Sequence, residues 1–301
     1  MRTRPRRARA AGGPLLSSDS RQKGGTRAKE RRRRSPNACV PLTSPSPAGS
    51  AGPTAPAPPL SAWSTAGWGL LAFCAWLAAE ALVLIVFLVR WFARNPGVPI
   101  DVDQISHNGY VISIAAIVSM AVQCGVVVVA VRRARQPVAE YLGLVRRPHM
   151  REVVFCLASV AVLLVASDLL SWTTGHDLVP PFMMKVYQAA RDAGPSAFLL
   201  LLIAAVVAAP IGEEIMFRGF LFRGWATSPL GATVTIVVTS AVWAGIHVQY
   251  DWYGIVQVFC LGVLFGWVRA RSGSTLLPIM MHAVCNIAAT VETAVIVDWV
   301  S

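Results

Sequence analysis

Long apolar stretches dominate the chain after residue 61, and their length decides how they are interpreted. Runs of about 20 apolar residues are typical of helices that cross a bilayer, because their length matches the hydrocarbon thickness. Seven such runs predict transmembrane helices near residues 65–89, 110–131, 152–172, 196–216, 231–249, 254–268 and 275–297. The sixth run is the shortest. The pattern therefore predicts an all-α fold, a polytopic membrane helical bundle over residues 62–301.

The first 61 residues have a different pattern, without apolar periodicity. They hold ten of the twenty prolines and a run of four arginines at 31–34. Such a segment cannot bury enough apolar surface to offset its ordering entropy, so we predict a disordered, basic, proline-rich tail over residues 1–61. Its charged region is too long to precede the first apolar run of a signal peptide. Attraction to anionic lipid headgroups and a dispensable extension both remain open as its role.

Composition supports the membrane class and locates the charge. The chain is 55% hydrophobic and 14% charged, with a mean hydropathy of +0.55, whereas soluble domains carry about a quarter charged residues. The formal net charge is +12, but residues 1–60 hold 13 Lys and Arg against two acidic residues. The body is nearly neutral, so we expect no nucleic-acid partner. The expected partners are the lipid bilayer and a membrane protein or peptide, and the oligomeric state stays open.

Basic residues in short loops predict the orientation. Arginines cluster after the second, fourth and sixth predicted spans, as Arg132, Arg133, Arg135, Arg146, Arg147, Arg151, Arg218, Arg223, Arg269 and Arg271. Short loops rich in Lys and Arg remain on the cytoplasmic side. With seven spans these loops share a side with the N-terminal tail. The prediction is an integral protein of the plasma membrane with its N-terminus cytoplasmic and its C-terminus outside.

Two adjacent glutamates, Glu213 and Glu214, follow seventeen uncharged residues of the fourth predicted span. A carboxylate at membrane depth costs about 2.5–3.5 kcal/mol on insertion scales, so a functional role is the default hypothesis. Glu214 and Arg218 are four residues apart on one helix face and can pair, whereas Glu213 is rotated by about 100°. Pro210 frees a carbonyl and can open a polar pocket. The alternative is that both glutamates lie at the interface and only neutralise arginines.

The next two polar pairs also have helical spacing. Trp243 and His247 are four residues apart in the fifth predicted span, as are His282 and Asn286 in the seventh. Each pair is expected on one helix face. Alone, an intramembrane histidine is more often a hydrogen-bonded packing residue, and an asparagine beside a histidine can hold two helices together.

Together these residues form a set suited to hydrolysis. The candidate catalytic residues are Glu213, Glu214, His247, His282 and Asn286. Glutamate can take a proton from water, histidine can orient the water or protonate a leaving amine, and Asn or His can donate to an oxyanion. Two histidines and a glutamate also match a catalytic zinc site, so the cofactor is either a divalent metal such as zinc or none. The H-E-x-x-H and G-x-S-x-G motifs are absent from the chain.

The motifs resemble the CPBP family, which includes type II CAAX prenyl proteases, abortive-infection (Abi) proteins and bacteriocin-immunity proteins. The family pattern is E-E-x-x-x-R, then F-x-x-x-H, then H-x-x-x-N or H-x-x-x-D. This chain has Glu213-Glu214-x-x-x-Arg218, Trp243-x-x-x-His247, His282-x-x-x-Asn286 and the glycine-rich Gly262-x-x-x-Gly266. Tryptophan stands at 243 where phenylalanine is commoner. The resemblance covers about residues 195–295.

The resemblance implies roles for these residues. Glu213 would activate water together with His247, and His282 and Asn286 would stabilise the oxyanion. Members of the family have been described as metalloproteases and as metal-free, glutamate-dependent proteases, so the cofactor stays open. The substrate does not transfer, because a CAAX substrate requires a prenylated cysteine that nothing in this chain indicates.

The resulting hypothesis is an intramembrane endopeptidase that hydrolyses a peptide bond of a membrane-anchored protein or peptide. The structural role expected for Arg218 is to hold Glu214 in an ion pair. One alternative is a non-catalytic immunity or binding protein of the Abi type, in which the polar cluster joins helices. A proton-coupled transporter that uses Glu213 and His247 as a relay is disfavoured, because no internal repeat is evident.

Overall fold

A computed structural model of the chain describes residues 60–99 and 101–300. The predicted tail lies outside the described residues, apart from its last two positions. The α-helices of the described part are Ala62–Arg94 (α1), Val102–Ser106 (α2), Gly109–Arg133 (α3), Val138–Tyr141 (α4), Met150–Thr174 (α5), Pro181–Asp192 (α6), Pro195–Ile203 (α7), Ala209–Glu214 (α8), Phe222–Ala226 (α9), Gly231–Gly245 (α10), Trp252–Ser272 (α11) and Leu276–Val295 (α12). Three π-helical turns, Ala204–Ala208, Ile215–Leu221 and Ile296–Val300, accompany them.

The predicted all-α polytopic bundle is confirmed. Six helical segments of the described chain are long and apolar enough to cross a membrane, namely Ala62–Arg94, Gly109–Arg133, Met150–Thr174, Pro195–Ala226, Trp252–Ser272 and Leu276–Asp298. The fifth predicted span forms a shorter apolar helix, Gly231–Gly245. Many leucine and valine side chains of α1 and α5 are exposed, as expected of helices that face lipid.

Four predicted spans have wrong bounds. The first, predicted over 65–89, is Ala62–Arg94, and the fourth, predicted over 196–216, is Pro195–Ala226, because the helix continues past the glutamates through Ile215–Leu221.

Local hydrogen bonds explain the differences in the fifth and sixth spans. The span predicted over 231–249 ends as a helix at Gly245, because the His247 amide bonds to the nearer Ala244 carbonyl at 3.1 Å. The sixth span was predicted to be short, over 254–268, and is 21 residues long. Asp251 caps its start by accepting from the Gly254 amide at 2.8 Å, and Gly273 ends it with φ +69°.

The fourth span is a chain of helical pieces from Pro195 to Ala226, in which α7, α8 and α9 are joined by two π turns. We call Ala204–Ala208 the first π turn and Ile215–Leu221 the second π turn. A π turn contains an extra residue and widens the helix, which shifts hydrogen bonds from the i−4 to the i−5 carbonyl. Such turns are frequent at functional sites, and here they flank the two glutamates on α8.

The arginine-rich connections meet at one end of the bundle, which we call the basic end. The Thr275 amide donates to the Gly143 carbonyl at 2.9 Å, so the connection before α5 lies against the start of α12. The Trp225 indole donates to the Ala62 carbonyl at 3.1 Å, which places the end of α9 beside the start of α1. The predicted loops between these helices therefore share one side, together with the point where the chain enters α1.

The other end of the bundle is joined by different contacts. Lys185 on α6 pairs with Asp103 on α2 at 3.1 Å, and Arg191 pairs with Asp298 beyond α12. Between the two ends, the fourth span is packed among α1, α3, α10 and α12. Phe220, Phe265 and Met281 are fully buried there, as is the charged pair on the fourth span. The fold thus places α8 and its glutamates at the centre of the bundle.

Candidate active site

Glu214 is completely enclosed and serves two neighbours with one oxygen. Its Oε1 accepts from Nη1 of Arg218 at 2.8 Å and from Nδ1 of His282 at 3.1 Å. Its side chain is fully buried, and the other oxygen, Oε2, has no hydrogen-bond partner among the described residues. Because a buried carboxylate is stable only when paired, this group is held as a fixed structural charge.

The Arg218 guanidinium is also fully buried, with Nη1 bonded to Glu214 and Nε without a hydrogen-bond partner among the described residues. Its Nη2 donates to the Gly262 carbonyl of α11 at 3.0 Å. The central guanidinium carbon, Cζ, lies 4.5 Å from the centre of the Trp243 ring and 5.5 Å from that of the Phe265 ring. At these distances the face of an aromatic ring attracts a cation. A side chain at Gly262 would come within 3.0 Å of the Trp243 ring, so glycine permits this close approach.

Glu213 points away from that pair and is only partly buried. Its Oε2 accepts a short hydrogen bond from Nε1 of Trp243 on α10. Among the described residues, no side chain is seen to donate to the second oxygen, Oε1. The two glutamates therefore differ in environment, since Glu214 is closed off and Glu213 keeps one oxygen available.

His247 lies beyond the end of α10, not on the helix face that its spacing predicted. Its Nδ1 is 2.7 Å from the Trp243 carbonyl, the acceptor that its own amide would use if the helix continued. A carbonyl only accepts, so Nδ1 carries a proton and Nε2 is the unpaired ring nitrogen. The two rings still meet edge to face, with centres 5.3 Å apart.

His282 on α12 completes an aromatic group around Trp243. Its ring centre is 5.3 Å from that of Trp243 and 5.8 Å from that of Phe265. Nδ1 is bonded to Glu214, so the other ring nitrogen, Nε2, is the one available to a ligand in the protein. The indole of Trp243 therefore separates the two histidines and contacts both.

Asn286 is held by a carbonyl that the first π turn releases. The Ala209 amide bonds to the Ala204 carbonyl, five residues back, and so leaves the Ala205 carbonyl free. The next residue, Pro210, has no amide hydrogen to offer. Nδ2 of Asn286 donates to this carbonyl at 2.7 Å and joins α12 to the fourth span.

The second π turn releases a carbonyl in the same way. The Phe222 amide bonds to the Phe217 carbonyl, and the Arg218 carbonyl accepts instead from Nε of Arg269 at 2.9 Å. Arg269 was predicted as a loop residue but lies in the last turn of α11 and is 6% exposed. Because Arg269 is buried beside the second π turn, its guanidinium can donate to the Arg218 carbonyl, which the turn leaves without a backbone donor.

A cavity of about 330 Å³ opens between α5, α6, α10, α11 and α12, next to these residues. The predicted residues His247, His282 and Asn286 line it together, as does Trp243. Glu213 and Glu214 are not on its wall. Glu213 lies one side chain behind it, joined through the indole of Trp243. The structure thus brings the two histidines and the asparagine to one space and places the glutamates at its back.

Two acidic residues and a tyrosine of this cavity are among those missed from the sequence: Asp168 on α5, Glu292 on α12 and Tyr250. Each acidic residue is a single charge inside an apolar run, and that was the available signal. Tyr250 lies in the connection between α10 and α11, and its ring stacks near His247 with centres 5.8 Å apart. Burial raises the pKa of the Tyr250 phenol, which keeps it protonated as a donor.

The positions of these side chains do not suit the zinc site that the residue types allowed. Within residues 60–99 and 101–300, no group of three His, Cys, Asp or Glu side chains is arranged so that it could hold a metal ion. Both carboxylates already have protein partners, because Glu213 is bonded to the Trp243 indole and Glu214 to the Arg218 guanidinium. The residues in this arrangement do not fit a three-ligand zinc site.

Comparison with known proteins agrees with the motifs. Residues 195–288 match the family described as type II CAAX prenyl endopeptidase Rce1-like. The family resemblance predicted from the sequence is therefore confirmed over that segment, which contains the fourth span, α10, α11 and the start of α12. At the level of the family, the match supports a membrane-embedded protease.

One curated relative is an uncharacterised 24.3 kDa protein of Escherichia coli. It is 33% identical over 109 residues, which are 34% of this chain and 46% of that protein. The chain therefore spans about half the length of this relative. No solved structure gives a significant match.

Proposed function

We propose that this protein is an intramembrane endopeptidase that hydrolyses a peptide bond in a membrane-anchored protein or peptide. The observation that carries the proposal is the cavity between the membrane helices, lined by His247, His282 and Asn286 and backed by Glu213. A carboxylate, two imidazoles and a carboxamide supply the base, acid and oxyanion donors that amide hydrolysis needs.

Glu213 is the proposed general base. The Trp243 indole holds Oε2, which leaves Oε1 to take a proton from a water molecule. The water oxygen then attacks the carbonyl carbon of the scissile bond. Since Nδ1 of His247 is already protonated and bonded to a carbonyl, its free Nε2 can accept a hydrogen bond from the same water and orient it.

The proposed donors to the oxyanion of the tetrahedral intermediate are Asn286 and the imidazolium form of His282, which carries a proton on each ring nitrogen and so has an Nε2 proton left to donate. Both lie on α12 and are held by the fourth span, His282 by Glu214 and Asn286 by the Ala205 carbonyl. Fixed donors need no reorganisation as charge develops on the oxygen, which is the main advantage of such a site. When the C–N bond breaks, the proton taken from water passes to the leaving amine.

Glu214, Arg218 and Trp243 are proposed as positioning residues. Glu214 fixes the ring of His282, Arg218 neutralises Glu214, and Trp243 fixes one oxygen of Glu213. Each of these groups holds a neighbouring side chain through one hydrogen bond, and none of them needs to touch the substrate.

The location of the cavity supports a substrate that reaches the site from the bilayer. The described helices make the protein an integral membrane protein. We further propose that it resides in the plasma membrane with the basic end of the bundle in the cytoplasm, because arginine-rich short loops favour that side.

A second candidate function is a non-catalytic binding or immunity protein. The bonds from His282 to Glu214 and from Asn286 to Ala205 join α12 to the fourth span, as interhelical polar contacts do. Such contacts contribute about 0.6–2 kcal/mol each. If these contacts serve only to join helices, their loss should lower the stability of a protein that shows no cleavage activity.

The experiment reconstitutes the purified full chain in liposomes with two reporters, a farnesylated peptide ending in a C-A-A-X sequence and a single-span peptide. Wild type should cleave at least one reporter, and His247→Ala should abolish cleavage while its melting temperature stays near that of wild type. His176→Ala is the matched control, because His176 packs on Tyr253 and is not on the cavity wall. Absence of cleavage of both reporters, or full activity of His247→Ala, would reject the proposal.

A further inference from the structure

A second recess lies at the basic end of the bundle, on its outer surface. It has a volume of about 240 Å³ and is bounded by the first turns of α5, the last turns of α11 and the start of α12. Its lining includes Arg151, Glu152, Phe155, Trp267, Arg271 and Leu277. It shares no residue with the cavity of the candidate active site.

The recess carries an excess of positive charge. Its one carboxylate, Glu152, receives both terminal nitrogens of Arg146 at 2.8 and 3.1 Å and is thereby neutralised. Arg151 and Arg271 are exposed, and neither has a carboxylate partner among the described residues. Two guanidinium groups are therefore available to an anion.

The wall below these charges is apolar and aromatic. Phe155 of α5 and Trp267 of α11 form a ring pair with centres 6.0 Å apart, and both are exposed. The Arg271 guanidinium lies 5.7 Å from the centre of the Trp267 ring. Leu277 closes the floor. The charged groups thus lie at the helix termini, while the aromatic groups lie one turn deeper along α5 and α11.

We propose that this recess binds an anionic glycerophospholipid, with its phosphate on Arg151 and Arg271 and an acyl chain against Phe155 and Trp267. Basic recesses between transmembrane helices are where acidic headgroups bind, and arginine suits phosphate because its planar fork donates two hydrogen bonds. The vertical order of charge above aromatic surface matches a lipid in its leaflet. A soluble anion would use only the upper half of the recess.

The experiment titrates the purified full chain in detergent with phosphatidylglycerol and follows the melting temperature, which rises when a ligand binds the native state. Each arginine near a headgroup is worth about fivefold in affinity, so Arg151→Gln with Arg271→Gln should weaken the response about 25-fold. The control is Arg132→Gln with Arg133→Gln, which removes the same charge from exposed positions at the same end. It should keep the wild-type response.

Three results would overturn the proposal. The first is an equally weakened response to phosphatidylglycerol in the two double variants, because general surface charge would then be enough for binding. An equal response of wild type to phosphatidylcholine would remove the role of the negative headgroup, and an equal response to inorganic phosphate at the same concentration would remove the role of the acyl chain. The readout is independent of cleavage, so failure of the endopeptidase proposal would leave this result unaffected.

A second measurement uses only wild type, so misfolding of a variant cannot affect its result. Wild type is irradiated with phosphatidylglycerol that carries a photoreactive group in its acyl chain. Crosslinks are expected within residues 150–157 and 264–277, on the wall formed by Phe155 and Trp267. Crosslinks confined to other helices would contradict the proposed site.

Discussion

Nδ1 of His282 lies 3.1 Å from Oε1 of Glu214, the same oxygen that accepts from Arg218 at 2.8 Å. One buried oxygen therefore connects a proposed oxyanion donor on α12 with an ion pair inside the fourth span. The second glutamate of the pair, Glu213, is bonded instead to the indole of Trp243. This difference between neighbours is the basis of the roles proposed for them.

Glu214→Gln should destabilise the protein far more than Glu213→Gln. The amide removes the charge that balances the fully buried Arg218, and an unpaired buried charge costs about 3–5 kcal/mol. Glu213 is only partly buried and has no paired cation within the part of the chain that the structure describes, so its substitution should cost less than about 1 kcal/mol. Melting temperatures of the two variants in the same detergent measure the difference. Equal losses would contradict the assignment of Glu214 as the structural partner.

Trp243→Phe should lower kcat and leave KM unchanged. An aromatic ring is retained, but the Glu213 carboxylate loses the indole hydrogen bond. A bond to a charged group is worth about 1.5–3 kcal/mol, or about 10- to 150-fold in rate. Trp225→Phe is the matched control, since it loses an indole hydrogen bond to the Ala62 carbonyl at the basic end. Steady-state kinetics on the cleaved reporter test this. A rise in KM with constant kcat would mean that Trp243 binds substrate and does not position the base.

Asn286→Ala should destabilise the protein, and Pro210→Ala should reduce that loss. Without Asn286 the Ala205 carbonyl loses this partner, and because the bond is only part-buried the loss should stay at or below about 1 kcal/mol, the lower end of the range for a buried group. Alanine at 210 would supply an amide that reaches Ala205 in the i−5 pattern already used by Ala209. Thermal unfolding of both single variants and the double variant gives the coupling. Additive losses would show that the two positions act independently.

The pH dependence of stability should change in alkali when Tyr250 is removed. Burial raises the pKa of the Tyr250 phenol above its ordinary value of about 10. Between the unfolded and folded pKa values the unfolded chain has released the proton and the native protein has not, so stability falls as pH rises through that interval. Tyr250→Phe should flatten this fall above about pH 10. A wild-type profile that persists in the variant would contradict the assigned burial effect.

The helix pattern made most of the bundle predictable. Apolar runs located the six long spans and the shorter helix α10 but not α2, α4 or α6, which lie outside the predicted spans. The i, i+4 spacing brought Glu214 to Arg218 because both lie on one continuous segment. The same rule misplaced His247, whose helix ends two residues earlier at Gly245. The rings nevertheless meet, since the His247 side chain replaces its own amide at the Trp243 carbonyl.

Contacts between helices could not be predicted from spacing. The bonds from His282 to Glu214 and from Trp243 to Glu213 depend on how three helices rotate and pack. The π turns were also hidden, because nothing in the local pattern marks an extra residue per turn apart from Pro210. Glu292 lines the cavity but belongs to no motif, so its single charge in an apolar run did not indicate where its side chain points.

The most direct test of the proposed function is the oxygen content of the product. Wild type in liposomes made with oxygen-18 water should release a fragment of the reporter whose new carboxyl carries one heavy oxygen, detected by mass spectrometry. Glu213→Gln should form no such fragment and should keep a melting temperature near that of wild type. Cleavage by Glu213→Gln at the wild-type rate, or a product without heavy oxygen, would contradict water activation by Glu213.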